Sequence, residues 1–235
     1  MISKLIFATV LITLLTPALF PGTRAQEVKL YPVDEATHDP SFKRFRDKLI
    51  VAVKKRDRKF LLNILHPEII NSFGGDGRIP EFVTMWKLNS PDSKVWAELL
   101  TVLSMGGSFG NDRGRKIFEA PYVSSSWERI EKKLPGQYGD VFYAAIVKQN
   151  VRVHSRPDAQ APVVIVLSYD VVEIDYEGSV EENAEESTNR WVKIKTLKGI
   201  QGYVRGSEAR TPTDFSAGFK KVRGKWLMYF FVAGD

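Results

Sequence analysis

Asn150-Val151-Arg152-Val153-His154-Ser155-Arg156-Pro157 opens the stretch that decides the fold. It runs on through Val163-Val164-Ile165-Val166-Leu167-Ser168-Tyr169-Asp170-Val171-Val172-Glu173-Ile174. Then come Arg190-Trp191-Val192-Lys193-Ile194-Lys195, a Lys198-Gly199 turn and Gly202-Tyr203-Val204. Short β-branched and aromatic runs alternate with turn formers, which is the pattern of a small all-β barrel. A strand-like segment at 140–148 leads into it. Residues 177–189, with Glu181, Glu182, Glu185 and Glu186, read as a long exposed loop between strands.

The order of these residues resembles the bacterial SH3-like (SH3b) family. That family has an N-V-R-x-x-x-P opening, a V-x-x-L-x-x-x-D-x-V-x-V pair, a W-x-K-V strand and a G-x-x-G-Y/W-V close. Asn150, Val151, Arg152 and Pro157 supply the first, and Val164, Leu167, Asp170, Val172 and Ile174 the second. Trp191, Lys193 and Ile194 supply the third, and Gly199, Gly202, Tyr203 and Val204 the last. The match covers about a quarter of the chain. The resemblance implies a module without saying what it binds; taken with an export signal and the absence of catalytic motifs, it makes peptidoglycan or an envelope protein or peptide the expected partner. Aromatic faces with a nearby arginine make Arg156, Tyr169, Tyr176, Trp191 and Tyr203 the candidate ligand-binding residues. By the same resemblance Trp191 and Tyr203 lie near the barrel's centre, where core and groove roles are both open.

Upstream, Lys4 precedes an apolar run from Leu5 to Leu15, broken only by Thr9 and Thr13. Thr23-Arg24-Ala25 then puts small residues where a signal peptidase reads them. The run is too short to span a bilayer comfortably. Residues 1–25 are therefore expected to be a cleaved signal peptide, leaving no transmembrane anchor and a periplasmic or extracellular product. The chain has no cysteine, which excludes disulfides, thiolate metal sites and cysteine nucleophiles. An exported chain without disulfides fits a bacterial envelope. The formal charge of +6 falls to +4 once Lys4 and Arg24 are removed, because the leader holds no acid. That balance suits an anionic surface and is too weak to indicate nucleic acid.

Residues 26–139 read as a helical N-terminal domain with a connector. Asp39-Pro40-Ser41 is a helix start, a capping acid followed by a first-turn proline. Phe42, Phe45, Leu49, Ala52 and Val53 then form one apolar stripe, and Lys43, Arg44, Arg46, Lys48, Lys54, Lys55 and Arg56 the opposite face. That face is either an anion-binding surface or an ordinary solvated one. Asp57 caps a second helix ended by Pro67, and a short strand follows at 68–73. A third helix is expected at 80–88 and a fourth from Ser90-Pro91 to Gly106-Gly107. Two similar stretches, 72–78 and 108–114, read as tight turns and lack the ligand spacing of a calcium loop. Residues 107–139 read as connector, with a short amphipathic piece from Trp127 to Leu134 that Pro135-Gly136 stops.

At the C-terminus, Arg223-Gly224 joins two strands, 214–222 and 225–232, as a hairpin. Arg56, Asp57, Leu61, Leu65 and Pro67, with the closing Gly224-Lys225-Trp226, weakly resemble nuclear-transport-factor-like cone domains. This resemblance implies that the hairpin, 212–235, returns to the N-terminal domain; the alternative is that it extends the barrel.

The expected fold is thus α+β: helical N-terminal domain, SH3-like β-barrel at 140–211, and C-terminal hairpin. No catalytic motif is present. His38, His66 and His154 lie outside any zinc-hydrolase pattern, and there is no nucleophile elbow or phosphate loop. Glu68 and Asp76 are unexceptional candidates for glycan cleavage. The expectation is a non-catalytic exported binding protein with no metal or cofactor. The alternatives are a small-ligand carrier with an apolar pocket between helices and hairpin, and a wall hydrolase of unfamiliar type.

Overall fold

The computed structural model describes residues 27–112, 114–136, 139–180 and 190–234. The expected signal peptide and the acid-rich part of the loop, 181–189, lie outside them.

Helix α1 (Pro40–Lys54) begins where its cap predicts. The Asp39 carboxylate accepts from Ser41 N at 2.9 Å and Phe42 N at 3.1 Å, satisfying two of the amides that a helix start leaves unpaired. Phe42, Leu49, Ala52 and Val53 are buried along one side. Arg46 is buried with them and forks onto Asp34, Nη1 to Oδ1 at 2.6 Å and Nη2 to Oδ2 at 2.9 Å. Helix α2 (Arg58–Ile64) starts under Asp57, which accepts from Phe60 N. It runs directly into strand β1 (Leu65–Ile70). Pro67 is tolerated because β1 is an edge strand, where a missing N–H costs no ladder bond.

Helices α3 (Arg78–Met85) and α4 (Val95–Ser104) follow. Ser90-Pro91 forms a turn, and α4 starts four residues past Pro91. The stretch expected as connector holds strands β2 (Ser108–Asp112) and β3 (Arg115–Ala120) and helices α5 (Tyr122–Ser126) and α6 (Glu128–Glu131), of which α6 falls inside the amphipathic piece expected at 127–134. Of the two similar glycine stretches, the first is irregular up to the start of α3, and the second opens with β2.

Helix α7 (Gly139–Phe142) leads to strands β4 (Tyr143–Ile146), β5 (Val151–His154), β6 (Val163–Leu167), β7 (Val171–Val180), β8 (Trp191–Thr196), β9 (Gln201–Arg205) and β10 (Ala209–Arg210). The chain ends with β11 (Ser216–Val222) and β12 (Lys225–Val232).

The strands form two sheets. The first has the order β1-β12-β11-β3-β2, so the C-terminal hairpin occupies its middle. One rung of this sheet, Leu65, Met228, Phe219, Phe118 and Phe109, is apolar in every strand. Phe42 of α1 packs on that rung, 4.2 Å centroid to centroid from Phe118 and 4.9 Å from Trp226. With Leu49, Leu99, Val102, Leu103 and Phe231 it makes the largest core. Helix and hairpin meet in packed side chains, which removes the apolar carrier pocket expected between them.

The second sheet has the order β10-β4-β7-β8-β9-β5-β6. It is open, and this corrects the expected SH3-like β-barrel. Closure needs the two edges to share hydrogen bonds, and here β10 and β6 are opposite edges. Strand β4 pairs with both β7 and β10, so the lead-in segment extends the sheet at the edge away from β6. Val28 and Leu30 pack with α5, α6, Tyr143 and Val171 in a second core beside it. A third core, including Ile146, Val153, Val172, Ile194 and Val204, belongs to the sheet alone. Short alternating strands are common to barrels and curled open sheets, so the pattern carries no information on closure. Strand β7 also takes in residues 177–180 of the segment expected as a loop, because it continues to Val180.

Candidate functional site

At the rim of the first sheet the apolar rung gives way to charge. Two residues from Phe219 and Phe118, on the same face, stand Lys221 and Lys116, and two from Met228 stands Trp226. Lys220 and Arg115 fall on the opposite face of the same strands. The Arg223-Gly224 turn, both residues at positive φ (47° and 82°), holds the hairpin's end in the primed geometry that matches strand twist. Together with His66, Glu68, Tyr229 and the Asp39 cap these residues line a cleft of about 560 Å³, a size suited to a small ligand or one unit of a larger one.

Its charge is one-sided. Arg115, Lys116, Lys220, Lys221 and Arg223 face only Asp39 and Glu68, plus Asp112 as the partner of Lys220. Lys220 is buried; its ammonium bonds Asp112 and sits 3.3 Å from the Tyr229 ring centroid. The Tyr229 ring meets His66 edge-on at 5.3 Å. His66 Nδ1 accepts from Glu68 N at 3.1 Å, so the neutral ring carries its proton on Nε2. Lys221 Nζ and Trp226 Nε1 both donate to Ser41 Oγ at 3.0 Å. Lys116 lies 3.7 Å from Asp39 and 3.8 Å from the Phe109 centroid. The Ser41 hydroxyl, with the Ser41 and Phe42 amides and Lys116, holds the Asp39 carboxyl down to about 2 against its own desolvation. Arg115 and Arg223 are exposed, and among the described residues neither forms an ion pair. Two guanidinium groups are therefore available to an incoming anion, over a base of three anchored ammonium groups.

The five residues proposed from the sequence sit in separate settings. Trp191 is buried, with the Arg205 guanidinium 4.0 Å over its ring and His154 at 5.6 Å. Tyr203 follows on the same sheet face, opposite Lys193 and His154. Tyr169 lies in the turn before β7, edge-on to Tyr31 at 5.7 Å. The Tyr176 hydroxyl donates to Val141 O at 2.8 Å. Arg156 is exposed in the loop after β5. Of the two carboxylates offered for glycan cleavage, Glu68 enters the rim cleft and Asp76 is exposed in the loop before α3. Among the described residues no group of three or more His, Asp or Glu side chains is placed to hold a metal ion. Nor is any helix there long and apolar enough to cross a membrane.

Arg115 and Lys116 were missed because residues 107–139 read as connector, and Lys220, Lys221 and Arg223 because the hairpin read only as two strands and a turn. Arg115-Lys116 and Lys220-Lys221 are each a cationic pair beside an apolar strand residue, and that shared pattern was the available signal.

No family model, no curated protein and no solved structure matches this chain. With the second sheet open and no relative to support it, the SH3-like binding module is withdrawn, and with it the expected peptidoglycan or envelope-protein partner.

Proposed function

We propose that the chain is a non-catalytic anion-binding protein whose site is the rim cleft of the first sheet. The observation that carries this reading is five cations lining one cleft against three carboxylates, Asp39 and Glu68 in the lining and Asp112 beside Lys220. Three of the cations are pinned by Asp112, Ser41 and Asp39, so ordering them costs little side-chain entropy on binding. Arg115 and Arg223 complete the site. A planar guanidinium matches phosphate, sulfate or carboxylate oxygens two at a time.

Titration with inorganic phosphate and pyrophosphate, followed by amide shifts in NMR spectra, tests this. The amides around Arg115, Lys116 and 220–224 are expected to move, and added salt to weaken the effect. Arg115→Glu with Arg223→Glu is expected to weaken binding about tenfold or more at an unchanged melting temperature, because both side chains are exposed. Unchanged affinity in that double variant overturns the reading.

A further inference from the structure

The rim cleft does not end at Asp39. Lys221 and Trp226 both bond Ser41, in the first turn of α1. From Ser41 the positions i+3, i+7, i+10 and i+14 fall on one line along a helix. Here they are Arg44, Lys48, Val51 and Lys55, all exposed. A helix rises 1.5 Å per residue, so this line extends about 21 Å beyond the cleft. It carries three cations and no acid. At its far end lies a shallow depression of about 420 Å³, where Val51, Ala52 and Phe60 form an apolar floor between Lys48 and Lys55; Asp47 and Asp57 also line it, the first paired with Lys43 and the second capping α2. Val51 is 51% exposed there.

Resting on the anion-binding reading of the cleft, we infer that the ligand is a linear acidic polysaccharide lying from the rim cleft along the Ser41–Lys55 line. Three features favour that chemistry. Charge recurs along the line at one to two helical turns, which matches a repeating anion and not a single one. The apolar floor between two lysines suits the apolar face of a sugar ring flanked by its carboxylate or sulfate groups. Finally, no exposed aromatic side chain lies on the line, so it lacks the stacking platforms that hold single-stranded nucleic acid. A lone Val51 is also too little apolar surface to anchor the helix in a bilayer.

Oligosaccharides of two to ten units from heparin and from polygalacturonate supply the sulfated and the carboxylated forms of the probe. With at least one series, the intact chain is expected to bind the decasaccharide at least tenfold more tightly than the disaccharide. Lys48→Glu with Lys55→Glu, both exposed, is expected to abolish that length dependence without lowering the melting temperature. The inference is overturned if affinity does not rise with length in either series, or if the lysine variant binds the decasaccharide like wild type. It is also overturned if single-stranded DNA of equal charge or phosphatidylglycerol vesicles bind as tightly. Inorganic phosphate separates the two levels. Retained phosphate binding that is lost in Arg115→Glu with Arg223→Glu leaves the cleft intact while the polymer fails; phosphate binding insensitive to that variant removes both.

Discussion

Glu119 shows what single residues contribute to this fold. It sits on β3 opposite Ser108 and Gly218, on the sheet face away from Phe42. Burial, and then the negative charge of Glu128, push its carboxyl above the ordinary glutamate range. The folded chain therefore binds this proton more tightly than the unfolded chain. Its contribution falls as pH rises above about 4 and stays unfavourable beyond the raised folded value. Glu119→Gln should accordingly raise the denaturation midpoint at pH 7 and have no such effect below about pH 4. Equal midpoint shifts at both pH values would show that charge is not the cause. Some residue-scale features were legible in the sequence, and others were not. Asp39-Pro40 announced its helix because a cap is a local arrangement of adjacent residues. The pairing of Lys220 with Asp112 was invisible, because it depends on which strands lie beside each other.

At the scale of elements, glycine positions record close approaches. A side chain at Gly202 would stand 2.6 Å from Val153 Cγ1 and 2.7 Å from His154 O, so β9 meets β5 only because that position is bare. At Gly218 the missing side chain is replaced by the Phe230 ring, which lies where a Cβ would stand. Strand β6 poses the opposite problem. It is an edge strand with Val163, Val164 and Val166 exposed and no charge or proline within it. Edges of this kind template pairing with other chains unless a charge or bulge blocks them. Val166→Lys, at the most exposed of these positions, should reduce concentration-dependent self-association in light scattering without changing the melting temperature. Scattering that matches wild type would clear the edge of that role. The alternation that marked residues 150–204 as strands was readable because it is a period-two pattern. Whether those strands close a barrel was not, since closure is decided by β4 and β10, contributed from outside the stretch.

Across the whole molecule, the chain leaves the first sheet after β3, builds the second, and returns to place β11 and β12 in the middle of the first. Removing the hairpin would leave β1 without a neighbour and β2–β3 as a two-stranded ribbon, which is marginal in water. It would also remove Phe219, Trp226, Met228 and Phe231, all buried. At about 1.5–3 kcal/mol for each large apolar side chain, their loss comes to roughly 6–12 kcal/mol. That is comparable with the entire stability of an ordinary domain, about 5–15 kcal/mol. The second sheet keeps its own core of Ile146, Val153, Val172, Ile194 and Val204. A chain ending at Thr213 should therefore lose the first sheet and retain the second. In hydrogen exchange, amides of α1, α4 and β3 should become unprotected while those of β7, β8 and β9 stay slow. Uniform protection throughout would mean that the N-terminal helices hold their strands without the hairpin. Uniform loss would mean that the two sheets are one cooperative unit, with the Arg210–Glu98 pair among the contacts joining them.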